Sequence, residues 1–88
     1  MEVIFGKLFL KDIQKITDKN LKSDINKAIE DFENVHSLLE LSNIKKLIGF
    51  KEAYRLRLGK YRLGFYFDGT SIKLARLVMR DTIYKIFP

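Results

Sequence analysis

The spacing of apolar positions changes twice along the chain. Glu2-Val3-Ile4-Phe5-Gly6 opens with a β-rich stretch that reads as a short strand. From Lys7 the period lengthens, and Leu8, Phe9, Leu10, Ile13 and Ile16 predict a short amphipathic helix to about Thr17, broken by Asp18-Lys19-Asn20. A second helix is predicted from near Asn20 or Ser23. Leu21, Ile25, Ala28, Ile29 and Phe32 recur at steps of three and four and so share a face, while Lys22, Asp24, Lys27, Glu30, Asp31 and Glu33 form the outer one. Over 34–43, Val35, Leu38, Leu39 and Leu41 fit either an extension of this helix or an apolar connector, and Lys45-Lys46-Leu47-Ile48-Gly49 leads onward. The period then falls to two. Strands are predicted at about 53–58, 61–67 and 72–78, and the turn signals Gly59-Lys60 and Asp68-Gly69-Thr70 make them an antiparallel meander. The tail from Arg80 to Pro88 is too short to assign. The pattern predicts one α+β domain over 1–88, in the order β-α-α-β-β-β, with an antiparallel sheet and a helical hairpin packed on one face.

The first two strands of the meander carry an unusual alternation, Tyr54-Arg55-Leu56-Arg57-Leu58-Gly59-Lys60-Tyr61-Arg62-Leu63. Successive side chains of a strand point to opposite faces, so Arg55 and Arg57 share one face and Leu56 and Leu58 the other. After the turn, Arg62 joins the arginine face. Three guanidiniums on one face repel each other unless an anion sits among them, and guanidiniums bind phosphate bidentately. The charge distribution points the same way. Residues 1–44 hold 6 lysines against 8 acids, whereas residues 45–88 hold 11 lysines and arginines against Glu52, Asp68 and Asp81. A basic surface built by the second half suits nucleic acid or an acidic protein partner.

Other chemistries find little support. The chain has no cysteine and a single histidine, His36, so disulfides and ordinary zinc sites are not expected, nor is any metal or cofactor. No glycine-rich phosphate loop is present. Ser23, Ser37, Ser42 and Ser71 have no base near them in sequence, and the acids of 24–33 read as a solvated helix face. No apolar run approaches membrane-span length and the N-terminus lacks a signal-peptide layout, so a cytoplasmic protein without membrane contact is expected. What remains is Arg55, Arg57, Arg62, Arg80 and Tyr84, where a tyrosine can stack on a base or transfer a proton.

Three segments carry a family resemblance: Asn43-Ile44-Lys45-Lys46-Leu47-Ile48-Gly49-Phe50-Lys51, Tyr54 to Leu63 as quoted above, and Met79-Arg80-Asp81-Thr82-Ile83-Tyr84. Together they resemble the RelE/ParE toxin superfamily, with its K-x-L-x-G…Y-R-x-R-x-G-x-Y-R signature and late H-R-x-x-x-Y box. The resemblance spans essentially the whole chain. It implies the RelE-like fold and an mRNA endoribonuclease, usually acting in the ribosomal A site. In that chemistry a 2′-hydroxyl attacks the adjacent phosphorus and leaves a 2′,3′-cyclic phosphate and a 5′-hydroxyl. It implies that Arg55, Arg57, Arg62 and Arg80 stabilise the scissile phosphate or the leaving group, and that Tyr84 stacks on the nucleotide or moves a proton. Lys45, Lys46, Lys51 and Lys60 extend the basic surface toward RNA. The implied partners are mRNA, the ribosome and a cognate acidic antitoxin.

The chain departs from the pattern at Met79, where many relatives have histidine. Methionine cannot transfer a proton, and arginine is a poor base. Lys51, Glu52, Lys60, Asp81 and Tyr84 are the alternative bases. The departure also keeps open two other functions implied by the superfamily: a DNA gyrase inhibitor of the ParE branch, and a binding module without catalysis.

Overall fold

The computed structural model describes all 88 residues. Strand β1 (Glu2–Phe5) leads into helices α1 (Lys7–Gln14) and α2 (Lys19–Asn34). Strands β2 (Ile44–Lys46), β3 (Ala53–Leu58), β4 (Tyr61–Phe67) and β5 (Ser71–Met79) follow, and helix α3 (Arg80–Ile86) closes the chain. The five strands form one sheet in the order β1-β5-β4-β3-β2.

The α+β class, the element order and the three-strand meander match the sequence expectation, with three additions. First, the sheet is mixed: β1 runs parallel to β5, with Val3 beside Ile72 and Phe5 beside Leu74. The helical hairpin carries the chain from that edge to the far one. Second, Ile44–Lys46 pairs with β3 as a fifth strand, Lys45 opposite Arg55 and Ile44 opposite Leu56. Third, the tail is helical and packs on the sheet face that α1 and α2 leave open. Phe87 and Ile83 of this segment cluster there with Leu47 and Ala53.

The main core lies between the hairpin and the sheet. Leu21, Ile25, Ala28 and Phe32 of α2 are buried in it at the predicted spacing, against Leu56, Leu63, Phe65, Ile72, Leu74 and Leu77. The Phe32 and Phe65 rings meet at 5.0 Å between centroids, and Tyr54 stacks on Phe65 at 5.5 Å. Asp18 caps α2 by accepting from Asn20 N–H and Leu21 N–H. The helix stops at Val35, and the connector holds a short 3₁₀ turn, Leu38–Glu40, fixed by a capping box between Ser37 and Glu40. His36 is exposed in this connector.

Helix α1 differs from its expectation. It ends at Gln14 rather than Thr17, and Phe9 is buried while Leu8 and Leu10 face outward. Its other buried residue is Asp12. That carboxylate accepts from Arg76 Nε at 2.8 Å, from Arg76 Nη2 at 3.1 Å and from the Leu77 N–H at 2.8 Å. The geometry depends on a bulge in β5. Gly64 pairs with Arg76 and Phe65 with Leu74, so Ala75 has no opposite residue and Arg76 is re-aimed at α1. Asp12→Ala would leave a guanidinium and a backbone N–H without their acceptor. Because the Arg76 side chain is 24% exposed, water can reach it, and the expected loss is about 2 kcal/mol, below the roughly 3–5 kcal/mol of a fully buried broken pair. A chemical-denaturation midpoint unchanged from the parent would contradict this account.

The turn between β4 and β5 is built by Asp68, whose carboxylate accepts from the backbone N–H groups of Ser71 at 2.8 Å and Thr70 at 2.9 Å. Those donors favour the ionised form and hold Asp68 down at about 2.

Candidate nucleic-acid interface

The alternation in β3 sorts its side chains as the sequence implies. Leu56 is buried and Tyr54 and Leu58 pack against the hairpin core, so Arg55 and Arg57 project from the opposite face. The turn at Gly59, with φ +59°, reverses the chain so that Arg62 lies directly opposite Arg57 across the β3–β4 pair. Lys45 lies opposite Arg55 on the other side. Three adjacent strands thus present Lys45, Arg55, Arg57 and Arg62 on one face.

Helix α3 supplies the wall. It is seated by Phe87, whose ring lies over Gly64; a Cβ at that glycine would stand 2.7–2.9 Å from three ring carbons. No larger residue leaves room for the ring there. With Phe87 and Ile83 anchored, Tyr84 is turned toward the arginines. The Arg55 guanidinium carbon sits 4.6 Å from the Tyr84 ring centroid, within the range of a cation–π contact. Arg80, one turn back on α3, donates from Nε to the Tyr84 hydroxyl oxygen at 3.2 Å.

The result is a depression of about 330 Å³ lined by Asn43, Ile44, Lys45, Arg55, Arg57, Arg62 and Tyr84. It contains no carboxylate. The two ion pairs of the molecule, Lys27–Asp31 and Arg76–Asp12, lie elsewhere, so none of the cations of the depression is neutralised by an acid. Arg62 is held in place by its own backbone: Nη1 donates to Gly59 C=O and Tyr61 C=O, both at 2.8 Å. The Tyr84 hydroxyl is pulled below the ordinary phenol range. The hydrogen bond from Arg80 is the main cause, and the positive charges of Arg80, Arg55 and Arg62 add to it.

Of the nine residues singled out in the sequence, five line this depression: Arg55, Arg57, Arg62, Tyr84 and Lys45. Arg80 stands behind Tyr84 and reaches the depression through it. Lys60 lies in the β3–β4 turn, where its carbonyl accepts the Arg80 N–H at 3.0 Å. Lys51 is exposed in the loop between β2 and β3, and Lys46 lies opposite Tyr54, off the arginine face. Met79 pairs with Tyr61, one position away from the Arg62–Val78 pair, and does not line the depression. Asn43 and Ile44 do line it and were not anticipated. The available signal was the asparagine before a short cationic run: Asn43 adopts φ 64°, a conformation asparagine tolerates, and its carbonyl accepts the Arg57 N–H at 3.0 Å.

No family model matches the chain. A curated relative from Methanocaldococcus jannaschii, toxin RelE3, is 37% identical over 89 residues, and the match covers both proteins in full. The chain belongs to the RelE toxin family. These are toxins of type II toxin–antitoxin systems. Among solved structures, the RelB–RelE antitoxin–toxin complex from Methanococcus jannaschii matches at TM-score 0.82 and 34% identity, over 97% of this chain and 99% of that one. The archaeal RelE–RelB complex from Pyrococcus horikoshii OT3 matches at TM-score 0.71 and 24% identity, over 90% and 93%, and supports the fold. The mixed sheet with a helix on each face is therefore the RelE architecture, and the arginine-lined depression is a feature of a RelE chain. No helix is long and apolar enough to cross a membrane.

Proposed function

We propose that this RelE-family toxin is an endoribonuclease that cuts mRNA, with ribosome-bound message as its substrate and an acidic antitoxin as its controlling partner. The observation that carries the proposal is the unneutralised cluster of Arg55, Arg57 and Arg62 facing Tyr84 across a single concave surface. The arginines bind the scissile phosphate and stabilise the charge that develops on its oxygens during attack. The 2′-hydroxyl loses its proton to solvent hydroxide, because the arginines around it remain protonated. Its oxygen bonds to phosphorus, the bond from phosphorus to the 5′-oxygen breaks, and a 2′,3′-cyclic phosphate forms.

The departing 5′-oxygen needs a proton. The phenolic oxygen of Tyr84 already accepts from Arg80, so its own O–H is free to point into the depression. A hydroxyl with a lowered pKa is also the stronger acid. Tyr84 therefore donates to the leaving group and regains a proton from solvent. The antitoxin partner rests on the complexes formed by the RelE relatives and on the basic second half of this chain, which attracts an acidic protein.

The experiment is cleavage of message in a translating extract with the RNA 5′ ends mapped. New 5′-hydroxyl ends that disappear when the antitoxin is added are expected. Intact message at high toxin concentration, with DNA gyrase supercoiling inhibited instead, would replace this function by gyrase poisoning.

A further inference from the structure

A second recess shares a wall with the cationic depression. Lys45, Arg55 and Tyr84 line both, and beyond them the surface becomes apolar: Leu47, Ile48, Phe50, Phe87 and Pro88 enclose about 360 Å³. Leu47 and Phe87 are fixed in the small core under α3, so the floor is preformed. Ile48 and Phe50 rise from it on the loop between β2 and β3, 94% and 50% exposed. No acidic side chain lines either recess.

We infer that this recess is a nucleobase subsite, in which Phe50 and Ile48 take a base flanking the scissile phosphate of single-stranded RNA. The inference rests on the ribonuclease reading above. A nucleotide carries a phosphate and a flat, apolar-faced base on one sugar, and two recesses with one common wall, one cationic and one apolar and aromatic, match that pair of groups. Sequence-specific recognition of RNA works largely through such splayed, unstacked bases. Tyr84 is already engaged on the phosphate side, with the Arg55 guanidinium over its ring and Arg80 on its hydroxyl. Phe50 has no aromatic partner in the protein and half of its surface free. The subsite makes the β2–β3 loop a determinant of which sequence is held for cleavage.

The test uses uncleavable 2′-O-methyl oligonucleotides of about seven nucleotides, each with an abasic residue at a different position, bound to the full-length protein and followed by anisotropy. One abasic position is expected to weaken binding about 5- to 150-fold, the range of a lost base–aromatic stack. Phe50→Ala should weaken the intact oligonucleotide similarly and erase the abasic penalty, while Phe50→Trp should retain both. Because Phe50 is half exposed, the melting temperature should not move. Equal binding of intact and abasic oligonucleotides, with binding still lost in Arg57→Ala, would overturn the subsite and leave the phosphate site standing. Loss of antitoxin binding in Phe50→Ala, with oligonucleotide binding untouched, would overturn it in favour of a protein ligand. Wild-type protein that binds no oligonucleotide in an Arg57-dependent way would remove the subsite and the ribonuclease function together.

Discussion

Arg62→Ala is expected to slow RNA cleavage by about 10²–10³-fold, the usual effect of removing one preorganised donor aimed at developing charge. The expectation follows from how this guanidinium is held. Two backbone carbonyls of the β3–β4 turn fix Nη1, so the rest of the fork is presented to the depression without ordering cost when the phosphate arrives. Stability should respond far less. Arg62 stands directly opposite Arg57, and like charges paired across strands are destabilising. Removing one relieves that repulsion but also loses the two bonds to the turn carbonyls, so the melting temperature should change little. A variant that is as stable as the parent and cuts RNA far more slowly separates a chemical role from a structural one. Arg62→Lys keeps the charge but loses the fork geometry, and should fall between the two. The measurement is a single-turnover cleavage rate beside a thermal melt. Equal rates for parent and Arg62→Ala would remove the phosphate-clamp mechanism.

The parts of this molecule visible in its sequence are those governed by local periodicity. The face of α2 was legible because Leu21, Ile25, Ala28 and Phe32 follow a helical step without interruption. The meander was legible because Gly59 and Asp68-Gly69 punctuate two-residue alternation. The arginine face followed from the same alternation, since strand parity alone fixes which side Arg55, Arg57 and Arg62 occupy. Non-local features were not legible. The parallel pairing of β1 with β5 joins segments about seventy residues apart, and no local pattern encodes a partner at that distance. The burial of Asp12 was likewise not legible, because its partner Arg76 lies 64 residues away and is aimed at it by a bulge in β5. The exposure of Leu8 and Leu10 has the same cause: α1 is oriented by Phe9 and Asp12, not by its largest number of apolar residues. Tail residues Ile83 and Phe87 are four apart, a helical signal too short to stand alone. It takes effect only because Gly64 opens a place for the Phe87 ring.

Tyr84→Phe is expected to reduce cleavage by about 10³-fold, within the range for loss of a positioned proton donor, and the pH dependence should identify the mechanism. As a donor, Tyr84 is active when protonated. The rate should rise with pH while hydroxide removes the 2′-proton, then fall as pH passes through the lowered pKa of Tyr84. Arg80→Ala deletes the hydrogen bond that is the main cause of that shift and should move the falling limb upward, toward the ordinary tyrosine range. In Tyr84→Phe the falling limb should vanish. Stability provides the counter-check. A depressed pKa favours the folded state only where the group is ionised, so the contribution is present above the unfolded pKa of the phenol and lost as pH falls through the folded one. Below that folded pKa the hydroxyl is protonated, and its removal should shift the melt little, because the ring and its Arg55 contact remain. Phenylalanine thus retains the wall of the depression and loses the proton donor together with the acceptor of the Arg80 hydrogen bond. If Tyr84→Phe cleaved at the parental rate with the falling limb intact, the leaving group would be receiving its proton from elsewhere, and Tyr84 would be a packing residue beside Arg55.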